Sequence, residues 1–120
     1  MMVLKMNRSS EDFYEVMGPV FGSRIIEQQT KDRFYDDPGK KWYVIPDQGA
    51  ASVKDGVIRN FWAANQEIAE KLIQAMLRDY LNLRGIVPNA YETAFEQSGF
   101  RTCAHRINFL EVRYVQDKRY

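Results

Sequence analysis

The chain has 120 residues, 45% apolar and 28% charged, which suits one globular domain with its own core and excludes a disordered segment. Seventeen Lys and Arg against sixteen Asp and Glu leave a net charge of +1, so no overall field draws the chain to nucleic acid or to an anionic membrane. Cys103 and His105 are the only residues of their kinds, which excludes a disulfide framework and a zinc site of Cys and His ligands within one chain; no metal is expected.

Met2 to Met6 is a short apolar run with Lys5 inside it and predicts a first strand. It carries no apolar leader core, and no run approaches the ~18 residues of a spanning helix, so the protein is expected to be soluble and cytoplasmic. Ser9 and Ser10 offer helix caps, and Phe13, Val16 and Met17 follow at helical spacing. Gly18-Pro19 should break that helix, leaving a second short one that carries Ile25 and Ile26.

Asp36-Asp37-Pro38-Gly39 predicts a turn, and Trp42 to Ile45 a strand that stops at Pro46. Asp55-Gly56, between Gly49–Lys54 and Val57–Ala63, is the pair favoured where both turn positions need positive φ, so a two-residue hairpin is expected. Three neighbouring antiparallel strands follow from this. From Asn65 the pattern changes. Ile68, Ala69, Leu72, Ile73, Met76, Tyr80 and Leu81 share one helical face opposite Glu67, Glu70, Lys71 and Arg78. Gly85 to Val87 predicts a brief strand and Ala90 to Gln97 a helix stopped by Gly99; Phe100 to Val115 reads as a last strand with a break near Ala104 to Arg106. Asp117 to Tyr120 is expected to fray. The whole is α+β in class.

This element order, with a hairpin feeding a long helix and a late helix ending in Ser98-Gly99-Phe100, resembles the GNAT superfamily of N-acetyltransferases over almost the whole chain. Ala94 to Phe100 fits the family's late helix, with an aromatic residue four places before the glycine of a Gly-Phe pair. The resemblance implies a single domain with a mixed central sheet flanked by helices, and acetyl-CoA as co-substrate in a cleft where strand 57–63 splays from strand 85–87. Backbone near Phe61, Trp62 and Ala63 would then meet the pantetheine arm. The pyrophosphate would sit at the start of the long helix, at Asn65 and Gln66.

Family members carry Arg or Gln, then Gly, then Gly or Ala in the loop before that helix; here Ala64, Glu67 and Ala69 stand at those places, and only Ala69 conforms. Glu67 brings a carboxylate towards the expected pyrophosphate. Phe95 stands where many members place a tyrosine that protonates the leaving thiolate, Tyr91 lies one helical turn earlier with a hydroxyl of its own, and Asn89 is one place out of register with a frequent family asparagine.

The amine acceptor needs a general base. Val57 to Ala64 holds no carboxylate, which leaves His105, the one side chain that titrates near neutrality. Cys103 two residues before it also admits nucleophilic catalysis, against the plainer reading of an ordinary strand pair. Trp62 is either a packed aromatic or an indole covering the acyl arm. Three functions stay open: an N-acyltransferase with a small-molecule or protein amine as acceptor; a GNAT-fold binding module without chemistry, acting through the cleft or as a homodimer; and, more weakly, nucleic-acid binding by Lys31, Arg33, Lys40, Lys41, Arg59, Arg101 and Arg106 with Trp42, Tyr43 and Phe61.

Overall fold

In strand β2, Lys41–Ile45, successive side chains alternate: Trp42 and Val44 enter one apolar cluster and Tyr43 and Ile45 another, so helices must cover both faces of the sheet. The computed structural model describes residues 2–114. In chain order it contains β1 (Leu4–Met6), α1 (Phe13–Phe21), α2 (Arg24–Thr30), β2, β3 (Gly49–Lys54), β4 (Val57–Ala63), α3 (Gln66–Asp79), β5 (Arg84–Pro88), a 3-10 turn over Asn89–Tyr91, α4 (Glu92–Gln97), β6 (Phe100–His105) and β7 (Phe109–Tyr114). Val115 and the tail at Asp117 to Tyr120 lie outside the described residues.

The strands lie in the order β1-β2-β3-β4-β5-β7-β6. Every adjacent pair is antiparallel except β4 and β5, whose parallel direction requires the crossover that α3 supplies. Ile68, Leu72, Ile73 and Met76 of α3, with Ala94 and Phe95 of α4, cover one face; Phe13, Met17 and Val20 of α1, with Ile26 of α2, cover the other. The expected mixed α+β sheet flanked by helices is therefore present, and the hairpin turn has Asp55 at φ 55° and Gly56 at φ 74°.

Three expectations are corrected. Gly18-Pro19 does not end α1, which runs on to Phe21: the backbone acceptor that Pro19 leaves unused is on exposed Glu15, where water reaches it, while Met17 and Val20 on the opposite face are buried. The chain instead turns at Gly22, and Ser23 caps α2 by accepting from the Ile26 amide at 3.1 Å. The last strand is two strands: the break at Arg106 to Asn108 is a full reversal, and β7 inserts between β5 and β6. Furthermore α3 stops at Asp79, so Leu81 is exposed rather than on its apolar face.

A β-bulge opposite Ser52 and Val53 makes Arg59 the extra residue of β4. Ile58 and Phe61 consequently both face α3, while Trp62 packs towards α1 and α2.

Candidate functional site

β4 and β5 are partners at only two positions, Val57 with Arg84 and Ile58 with Gly85. Beyond Ile58 they part. Neither can turn back to close the gap, because β4 is held by β3 as far as Ala63 and β5 is held by β7 along its whole length. At the closed end the approach is tight: a Cβ on Gly85 would lie 2.8 Å from the Ile58 Cβ, so glycine is needed there.

A parted strand leaves backbone groups without partners, and a buried pair of them must be satisfied. Tyr91 does this for Ala63. Its hydroxyl accepts from the Ala63 amide at 3.0 Å and donates to the Ala63 carbonyl at 3.1 Å, standing in for a peptide group of a neighbouring strand. Burial raises the Tyr91 hydroxyl above the usual phenol range, so it stays protonated. Behind it, aromatic rings pack in sequence: Phe61 to Tyr91 at 5.1 Å, Phe61 to Phe95 at 4.9 Å and Phe95 to Phe100 at 5.0 Å between centroids.

At the wide end of the gap lies a cleft of about 420 Å³, walled by Ala63, Asn65, Gln66, Tyr91, Thr93 and Ala94. Asn65 caps α3, accepting from the Ile68 amide at 2.9 Å. The first amides of the helix point along its positive end towards the same mouth. Glu67 does not line this cleft. It lies in a separate groove of about 610 Å³ with Met2, Val3 and Lys5, on the other side of the helix, so its carboxylate is turned away.

Among the residues singled out by sequence, the structure brings Ala63, Asn65, Gln66 and Tyr91 to one cleft. Phe61, Ala69 and Phe95 lie behind its wall, fully buried, and the Ala69 amide is already used by the Asn65 carbonyl. Trp62 does not line the cleft; its ring packs on the α1/α2 side, and its indole N–H donates at 3.1 Å to Gln29, which does line it. Asn89 is spent on the β6–β7 turn, donating from its backbone to the Asn108 carbonyl at 3.1 Å and from its side chain to the Ile107 carbonyl at 3.0 Å. His105 stands on β6, exposed, 3.3 Å from Glu92. Cys103 is exposed and its sulfur contacts the Arg101 carbonyl, not the imidazole, so no thiol–imidazole pair is formed.

Sequence reasoning missed Gln29, Thr93 and Ala90 in the cleft wall, residues whose types carry no chemical signal and which only the packing of α2 and α4 brings there. Of the basic and aromatic residues set out for nucleic acid, Lys31, Arg33, Arg59, Arg101 and Arg106 are exposed. Trp42, Tyr43 and Phe61 are fully buried, Lys40 is buried beneath the loop before β2, and Lys41 is paired with Asp79 at 3.2 Å. Among the described residues no helix is long and apolar enough to cross a membrane, and no group of three His, Cys, Asp or Glu is placed to hold a metal.

The sequence matches no family model and no curated protein. Its shape is similar to the crystal structure of the N-acetyltransferase PseH of Campylobacter jejuni, with a TM-score of 0.54 over 98% of this chain and all of that one. The chain has the GNAT fold. At 13% identity the likeness carries the fold alone.

Proposed function

We propose that the protein is an N-acyltransferase that binds acetyl-CoA in the opening between β4 and β5. The observation that carries this reading is the Ala63 peptide: both its polar groups face the opening and are held only by a side-chain hydroxyl, so an extended ligand with an amide can take them once Tyr91 swings away. The mouth of the opening lies at the start of α3, where the helix dipole and the amides of Gln66 and Glu67 favour a phosphate. With Glu67 turned into the other groove, the residues present fit the group.

Bound acetyl-CoA supplies a thioester. In the overall transfer an ammonium acceptor loses two protons, the amine nitrogen bonds to the acyl carbon, the carbon–sulfur bond breaks, the thiolate takes one proton and the other goes to solvent. The chain's share is orientation: β4 backbone holds the arm, the α3 amides hold the anionic end, and Phe61 and Phe95 keep water from the back of the cleft. Phe95 has no proton to give. Tyr91 gains that role only after leaving Ala63; while buried there it keeps its proton.

A second reading, a binding module without chemistry, is favoured by the same two side chains: Tyr91 occupies the backbone pair and Phe95 replaces an acid. Calorimetric titration with acetyl-CoA and with CoA decides between them. Micromolar binding of both, followed by acyl transfer in an amine screen, is expected. No binding at millimolar ligand sinks the transferase and leaves the binding module.

A further inference from the structure

On the α1/α2 side of β4 the structure buries polar groups that the cleft does not use. Asn60, 3% exposed, accepts at its side-chain oxygen from Lys40 at 2.9 Å and Ser52 at 2.6 Å, and donates from its amide to Asp32 at 3.0 Å. Three bonds of this polarity leave the amide only one orientation. Lys40 is spent as well: its ammonium donates to the Tyr35 carbonyl at 2.8 Å and lies over the Tyr35 ring at 4.3 Å.

Asp32 is different. Its carboxylate accepts from Asn60 and has the Arg33 backbone N–H beside it, but makes no ion pair among the described residues. Beside it lies a polar cavity of about 420 Å³ that shares no wall residue with the cleft at Ala63. Asp32, Asp37 and Asp55 line it against Lys40, Lys54 and Arg59, so its charges balance. Lys54 and Asp37 pair with each other at 3.2 Å. Arg59, the bulged residue of β4, is exposed and has no ion pair among the described residues. Two carboxylates without an ion pair among the described residues, Asp32 and Asp55, thus face one cavity with the unpaired guanidinium of Arg59.

The place of this cavity in the fold gives it a use. Arg59 immediately follows Ile58, the last residue of β4 that pairs with β5, and Asn60 lies about 10 Å along the strand from Ala63. A chain lying in the opening, with its anionic end at α3, runs along β4 towards this closed end.

We propose that this second cavity binds the acceptor, a small amine that also carries an anionic group, with its ammonium on Asp32 and its anion on Arg59. Its role as acceptor rests on the acyltransferase reading; its occupancy by such a molecule does not. Burial raises the Asp32 carboxyl, so the ligand's ammonium meets a carboxylate short of solvent.

The test is an NMR titration of the full isotope-labelled chain with glycine, γ-aminobutyrate and ε-aminocaproate, and with butylamine and butyrate as the two halves of the middle probe. One of the zwitterions is expected to move the backbone amides of Asp32, Arg59 and Asn60, and to bind about tenfold more tightly than either half. Asp32→Asn and Arg59→Gln are each expected to weaken it about tenfold; Arg59 is exposed, so its variant keeps the fold and stands as the safeguard if Asp32→Asn unfolds. Butylamine binding as tightly as the zwitterions overturns the anion subsite, and no shift from any probe at millimolar concentration overturns the site. Acetyl-CoA titrated in the same sample separates the two proposals: its binding without the amine's sinks only this one, and the amine's without its own sinks the transferase.

Discussion

The face of the sheet under α3 is apolar from end to end, and its polar contacts sit at the rim, where the Tyr43 hydroxyl donates to Asp79 at 2.6 Å. The face under α1 and α2 has a smaller apolar cluster that gives way, within the interior, to the Lys40, Asn60, Ser52 and Asp32 network. One face is built by exclusion of water and the other partly by exact pairing of buried polar groups. The first tolerates any side chain of suitable volume, whereas the second fixes directions and so can present a particular oxygen to a particular cavity.

The largest effect separating the two faces is expected from Leu72→Ala, which empties a fully buried position on the α3 side and should cost about 2–5 kcal/mol in urea unfolding. A loss under about 1 kcal/mol would mean that this face is loosely packed. On the other face, Lys40→Met deletes the donors to Tyr35 and Asn60 and should cost about 1.5–3 kcal/mol. Were it neutral, the polar network would be replaceable packing and the contrast between the faces would dissolve.

Tyr91→Phe probes the gap between them. It strips the Ala63 peptide of its only partner across the opening and is expected to lower stability by about 1–2 kcal/mol, read from the urea midpoint. It should also strengthen acetyl-CoA binding several-fold, because no hydroxyl has to be displaced; weaker binding would show instead that the hydroxyl contacts the ligand.

The smallest effect concerns the rim. Bonds from Tyr43, then Lys5 and Lys41, outweigh partial burial and hold the Asp79 carboxyl at about 2, below its usual 3.8. A depressed carboxyl stabilises the fold fully above its unfolded value, and that contribution is lost as pH falls through the folded one. Asp79→Asn should therefore flatten the fall in stability between pH 4 and pH 2, followed by thermal unfolding, and leave the α1/α2 face unaffected.

Much of the fold was legible because its signals are local. Asp55-Gly56 dictates a tight turn by backbone sterics, the spacing from Ile68 to Met76 dictates one buried helical face, and Trp42 to Ile45 dictates a strand covered on both sides. Pro19 misled because its cost depends on which carbonyl it orphans, and only the packed helix shows that this one reaches water. The break at Arg106 to Asn108 did not reveal itself as a reversal, since that depends on where β7 finds a partner.

The candidate site was legible only in outline. The resemblance points to Asn65 and Gln66 at the helix start and to Ala63 at the end of β4. The two hydrogen bonds of Tyr91 with Ala63 join residues twenty-eight places apart in sequence, and Asp32 reaches Asn60 across the same separation. Asn60 left one trace, a polar residue next to Arg59 in a strand whose other five residues are apolar. By itself the sequence determined where helices, strands and turns form, because backbone propensity and apolar period act within a few residues. The parting of β4 from β5, the direction in which Glu67 turns, and the meeting of Asp32 with Arg59 at one cavity were decided by tertiary structure alone, since each depends on which distant segments pack together.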